Sequence, residues 1–236
     1  MLAELAVYAR SYRRTPAAFR PHLMAAARHW ARGVRQARAW APHLANARGL
    51  LDTTIDDLPV RRAVAVLGSG PLFELPLESL ARTFERVILV DRIHLSAIEA
   101  RIARYSNVSL DWRDLCPAGN PGVLDFLQQI DGLDWVISAN VVSEMAAAAP
   151  ALAREVVDRH LDALVALPCP VTLITDLDYR VFNRHGIMRD SGDMLHGRQM
   201  PRSGLRWKWE AAPFGEEARH TRRVHYVAAW HDRRRA

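Results

Sequence analysis

A single lysine, Lys208, serves a chain of 236 residues in which every other strong cation is an arginine. That scarcity closes off chemistries built on an amine side chain. A phosphate-binding P-loop must end its glycine turn in lysine, and a pyridoxal-phosphate enzyme needs one for its Schiff base. Cysteine is nearly as rare. Cys116 and Cys169 offer neither a disulfide framework nor zinc-knuckle spacing, so a reducing, cytoplasmic setting is expected. Long apolar runs are missing too: the longest reach roughly 5–7 residues against the ~20 needed to cross a bilayer. The N-terminal segment lacks the unbroken apolar stretch and small-residue cleavage site of a secretory signal. No membrane partner is expected.

Acid is almost absent from the first fifty residues, where Glu4 stands against nine arginines. Residues 51–178 reverse the balance with 10 basic and 19 acidic groups, and residues 179–236 restore it with 13 basic and 6 acidic. An acidic middle between two basic ends fits a surface for an anionic partner such as RNA. It fits equally a solvated, arginine-rich helix face. Half of the residues are apolar, enough for one substantial core with a small accessory segment.

Two kinds of pattern follow one another along the chain. In residues 1–58, Leu23, Ala27, Trp30, Val34, Ala37 and Ala41 recur at helical spacing, punctuated by Pro21 and Pro42, which predicts a helical extension or cap. Thr53–Pro59 reads as an acidic connector. Residues 59–236 then form a second unit. Its short runs, apolar on both faces, are Ala63–Leu67, Val87–Val90, Val108–Leu110, Trp135–Ser138 and Val171–Ile174. Strands buried between two helical layers need such runs. Stripes at Leu95/Ile98/Ile102, Val123/Leu127/Ile130 and Val156/Leu161/Leu164 supply helices between them. The prediction is a doubly wound α/β fold with a mostly parallel seven-stranded sheet. Residues 186–204 read as a long loop. The alternation in Leu205–Glu210 and Arg223–Ala228 predicts a closing antiparallel pair.

Each apolar run delivers a glycine or polar residue at its end: Gly68 and Gly70, Asp91, Asp114, Asn140, Asp176. Parallel strands would bring all five ends to one rim, where such sheets bind ligands. A glycine turn lets backbone N–H groups approach a ligand, and a carboxylate after the second strand can accept two ribose hydroxyls.

Here the chain resembles the class I S-adenosylmethionine-dependent methyltransferases. The matching segments are Val66-Leu67-Gly68-Ser69-Gly70, Leu89-Val90-Asp91, Trp112-Arg113-Asp114-Leu115 and Ser138-Ala139-Asn140, followed by the closing antiparallel pair. The resemblance implies S-adenosylmethionine as cofactor, with Gly68, Ser69 and Gly70 beside its methionine part. It further implies Asp91 at the ribose, Asp114 near the adenine, and Asn140 facing the transferred methyl. It also implies a reversed strand inserted into the sheet near the chain's end. The methyl acceptor stays open among small molecule, RNA and protein. Asp176 and Tyr179 are the candidate bases, and the acceptor would enter between the N-terminal helices and residues 177–204.

Two rival readings share parts of this pattern. A nicotinamide oxidoreductase would use the same turn and Asp91, but Phe73 stands where its fingerprint needs a third glycine. A methyltransferase fold without turnover could dock on RNA or protein through its basic ends. For metals, Asp190, Asp193 and His196 read as solvated loop residues. Asn140, Asp176 and Asp178 would have to converge to hold magnesium; no metal site is expected.

Overall fold

The computed structural model describes residues 2–117, 124–200 and 204–232. Val123 and the terminal arginines of the basic C-terminal segment lie outside them. Three helices come first: α1 (Leu2–Tyr12), α2 (Arg20–Arg35) and α3 (Ala37–Asp57). There follow β1 (Ala63–Leu67), α4 (Leu77–Thr83), β2 (Arg86–Asp91), α5 (Ser96–Ile102), β3 (Val108–Trp112) and β4 (Leu133–Ala139). The remainder is α6 (Val141–Ala148), α7 (Ala153–Ala166), β5 (Val171–Asn183), β6 (Met188–Asp193), β7 (Leu205–Ala212) and β8 (Thr221–Asp232).

The strands form one sheet in the order β3-β2-β1-β4-β5-β8-β7. Pairs from β3 to β5 are parallel, while β8 runs antiparallel to both β5 and β7. The expected reversed strand is therefore β8, inserted between β5 and β7. Strand order reverses between β1 and β4, which opens a crevice at their carboxyl ends. Pleating sends alternate residues to opposite faces, and each face has its own helical cover. Val64 and Val66 pack with Leu23, Trp40, Leu51 and Leu80 from the helices α2 to α4. Ala65 and Leu67 pack on the other face with Met145 of α6 and Leu161 of α7. The N-terminal helices thus share one core cluster with the sheet.

Four local expectations are corrected. The supposed acidic connector is the last turn of α3, where Thr53 and Thr54 donate to the carbonyls of Gly49 and Leu50, four residues back. Pro42 does not interrupt that helix but lies inside it. The stripe through Leu127 is a short 3-10 segment, Leu124–Gln129. Residues 186–204 hold an eighth strand, β6. The strand β5 runs far past its pairing with β4, which ends at Ile174, and β6 folds back along the overhang from Asp178 to Phe182. Its side chains are nearly all exposed, so backbone pairing alone makes it a strand, and no apolar alternation marks it.

Candidate active site

The turn after β1 is built for close approach. Gly68 has φ +71°, and a Cβ there would lie 2.6 Å from Val141 Cβ and 2.8 Å from the Ala139 carbonyl oxygen. Only glycine fits. Gly70 also has positive φ, and a Cβ there would meet only the Gly68 carbonyl oxygen, at 3.9 Å. The turn is tied to the neighbouring strand, because Gly68 N–H donates to the Val90 carbonyl (3.0 Å). Asp91 completes the join. Its Oδ2 accepts from Gly70 N–H at 2.8 Å and its Oδ1 from Ile93 N–H at 3.1 Å.

Across the crevice, Asn140 takes a left-handed conformation (φ +53°) between β4 and α6. Its Nδ2 donates to Glu74 Oε1 at 3.4 Å, which also lies 3.4 Å from His43 Nε2. Trp207 Nε1 donates to His43 Nδ1 at 2.9 Å, leaving Nε2 as the protonated nitrogen facing Glu74. The His43 ring stacks on Trp209 with centroids 4.3 Å apart, and Trp40 meets Trp209 edge-on at 5.0 Å. Trp40 Nε1 donates to the Ala211 carbonyl at 3.1 Å. This network ties α3, the loop after β1, the end of β4 and β7 together.

The third wall is β5. A bulge at Leu177 puts two residues of β5 opposite one of β8 and re-aims the side chains beside it. Asp176, only 4% exposed, has Oδ2 2.9 Å from His225 Nδ1. Its Oδ1 has no partner. Asn140 Oδ1 and Trp209 Nε1 are likewise buried without partners. Buried polar atoms are nearly always paired, so three such atoms on residues lining one crevice mark a place where a ligand would complete the bonding.

Two abutting chambers occupy the crevice. One, of about 280 Å³, lies between Gly68, Asn140, Asp176, Trp209 and His225. The other, of about 370 Å³, extends over Arg92 and Ile93 beneath His22 and Ala26 of α2. His29, Gly70, Asp91 and Glu144 line both. Each is near the lower end of the ~300–1,000 Å³ typical of small-molecule sites.

The field inside is negative. Glu144 is exposed to the solvent of the cavity. Partial desolvation by the protein around it, with the charges of Asp91, Glu74 and Asp176, pushes its carboxyl up to about 7 against the opposing pull of Arg92. Burial also pushes Glu74 up, but the hydrogen bond from His43 leads the opposing causes and leaves its pKa below the ordinary value. Burial lowers His29. The cations of the lining are already engaged: Arg32 pairs with Glu216 and Glu217, and Arg223 with Glu217.

Of the residues singled out in the sequence, Gly68, Gly70, Asp91, Asn140 and Asp176 line the first chamber. Ser69 is buried within the turn. Asp114 lies outside both chambers, its Oδ1 accepting from Cys116 N–H at 2.9 Å. Tyr179 is also outside. Its hydroxyl donates to Asp190 at 3.1 Å, a bond that, with burial, raises its pKa. Phe73 does not block the turn; its ring packs between Gly33 and Trp40. Asp178 pairs with Arg180, and among the described residues no group of three His, Cys, Asp or Glu could hold a metal ion. Glu74, His43, Glu144 and His225 were not singled out in the sequence, and Trp209 reads there as a core or sheet-face aromatic. Only Glu144 carried a usable signal, one helical turn past Asn140. Among the described residues no helix is long and apolar enough to cross a membrane.

No protein-family model and no curated sequence matches the chain. Solved structures do resemble it. The YcgJ protein of Bacillus subtilis is 13% identical over 56% of this chain and 50% of its own, with a TM-score of 0.38. Phosphoethanolamine N-methyltransferase 1 of Haemonchus contortus, solved with phosphoethanolamine and S-adenosylhomocysteine, is 20% identical over 52% of this chain and 24% of its own, at 0.34. The 1,6-didemethyltoxoflavin-N1-methyltransferase of Burkholderia thailandensis, bound to its substrate and S-adenosylhomocysteine, is 14% identical over 80% and 78%, at 0.42. The chain thus spans half the length of the first of these and about a quarter of the second.

Proposed function

We propose that the protein is an S-adenosylmethionine-dependent methyltransferase. One observation carries the reading: Asp91 Oδ2 accepts from Gly70 N–H at 2.8 Å, so the carboxylate and the glycine turn form one cradle at the point where strand order reverses. The cradle suits the donor. Each Asp91 oxygen has one backbone bond and keeps a lone pair for a ribose hydroxyl. The larger chamber, beyond Asp91, takes the nucleoside, and Gly68, Ser69 and Gly70 border the methionine part. Asn140 and Asp176 face the other chamber, where the acceptor lies. Asp114, held by Cys116, reaches the adenine only through a shift of its loop.

S-adenosylmethionine supplies a methyl group on an electrophilic sulfonium; this chain's residues align the partners and exclude water. The helices α2 and α3 do the second part by roofing both chambers. The carboxylates gathered inside, Asp91, Glu74, Glu144 and Asp176, favour this small-molecule reading over docking on RNA, whose phosphates they would repel. Two N-terminal arginines are also engaged by acids at the surface, Arg14 by Glu99 and Arg35 by Glu4 and Glu216.

The test is titration calorimetry with S-adenosylhomocysteine. Asp91→Ala should weaken binding about ten- to a hundredfold, since hydrogen bonds to a charged group are lost. Unchanged affinity in a folded variant would remove the ribose assignment.

A further inference from the structure

The acceptor chamber has a chemistry of its own once the donor's contacts are set aside. Asp91 belongs to the nucleoside, which leaves Glu74, Glu144 and Asp176 as carboxylates of the remaining lining. The two arginines there pair with Glu216 and Glu217, and His225 Nδ1 meets only the Oδ2 of Asp176, at 2.9 Å. Asp176 is the sharpest feature. It is nine-tenths buried or more, it lines the chamber, and its Oδ1 has no partner. Asn140 Oδ1 is the second unpaired acceptor, and its amide is fixed from behind by Glu74. Both atoms require a donor from the ligand. Trp40 and Trp209 add an apolar aromatic wall for the ligand's carbon skeleton. The unpaired Trp209 Nε1 would be satisfied by one oxygen on the same ligand.

We propose that the acceptor is a small organic amine, bound as its ammonium form between Asp176, Asn140 and the Trp40–Trp209 wall, with Glu144 taking the proton that must leave. The assignment rests on the methyltransferase reading and names the acceptor class of that same site. Glu144 is placed for the task because it lines both chambers, where a donor and an acceptor would meet, and because cavity water reaches it to carry the proton onward. The bound ammonium gives one proton to the Glu144 carboxylate. The freed nitrogen lone pair then forms the new N–C bond while the C–S bond breaks, its electron pair remaining on sulfur. The products are a methylated ammonium and a thioether, and charge is conserved. An alcohol would give Asp176 Oδ1 only a neutral hydrogen bond, weaker than one from an ammonium, and a carboxylate or phosphate would oppose its charge directly.

Calorimetry on the intact protein, with and without S-adenosylhomocysteine, tests this. The probes are small primary and secondary amines from propylamine to tryptamine, each paired with its alcohol or carboxylate isostere. At least one amine should bind about tenfold or more tightly than its isostere. Asp176→Asn should erase most of that preference while leaving S-adenosylhomocysteine affinity and the melting temperature close to those of the parent. Glu144→Gln should retain amine binding but lose methyl transfer from S-adenosylmethionine, read as labelled product. Donor binding without preference for any amine overturns the acceptor class. Amine binding without donor binding leaves the amine site standing and removes the methyltransferase reading instead. An Asp176→Asn protein that keeps the full preference overturns the role of that carboxylate.

Discussion

Glu144 shows how one residue can register what occupies the cavity. Its carboxyl, near 7 in the folded protein, returns to about 4.5 when the chain unfolds. A raised acid makes the folded state the better proton binder, so its contribution falls as pH rises from 4.5 towards 7 and is constant above. Urea unfolding at pH 5 and pH 8 should therefore show Glu144→Gln gaining on the parent at the higher pH. Equal differences at both pH values would mean the carboxyl is not perturbed. A bound ammonium would favour the ionised form. Amine binding near pH 6.5 should accordingly release protons, seen as a binding heat that depends on the buffer's ionisation enthalpy. Asp91 teaches a related lesson: it is both a capping group for Gly70 and Ile93 and a proposed ligand contact. Its substitution must be read for stability and affinity separately.

At the scale of elements, the roof over the site depends on one tight contact. Gly33 lies within α2, where alanine would ordinarily stabilise by about 1 kcal/mol. A Cβ at that position, however, would lie 2.1 Å from Phe73 Cε2. Phe73 is held against Trp40, and its carbonyl accepts from Arg48 (Nε, 2.7 Å). Gly33→Ala should therefore reverse the usual sign and cost about 1–3 kcal/mol by overpacking. The same change in a Phe73→Ala background should be neutral or stabilising, measured as a double-mutant cycle. The elements also explain what could be foreseen. Ala63–Leu67 and Val171–Ile174 were readable because burial on both faces leaves no polar alternation. The strand β6 was not, because Asp190 and Ser191 are held by backbone pairing to β5 and their side chains are exposed. Asn140 and Asp91 were foreseeable from their position at strand ends. His43, Trp209 and His225 were not, since the contacts joining them to the site cross most of the chain: Trp207 and His43 are 164 residues apart. Tyr179 was read as near the rim because the fifth run was taken to stop at Asp176, whereas β5 continues to Asn183 and carries the ring onto the hairpin, against Gly192.

The molecule as a whole joins an acidic interior site to an arginine-rich exterior. Some of those arginines pair with acids of the chain, among them Arg14, Arg35 and Arg222. Ligand binding should be felt well beyond the contacts themselves. At one hundred times its dissociation constant, S-adenosylhomocysteine should stabilise the fold by ~2.7 kcal/mol. Hydrogen exchange should slow in α2 above the nucleoside chamber as well as in the glycine turn. Protection confined to the turn would mean that the helix is not a roof. The bond from Trp40 Nε1 to the Ala211 carbonyl has a further consequence, since it joins residues 171 positions apart over the cavity. As the protein is synthesised, its early helices must wait for the late strands to emerge before this wall can close, so the competence to hold a ligand arrives among the last events of folding.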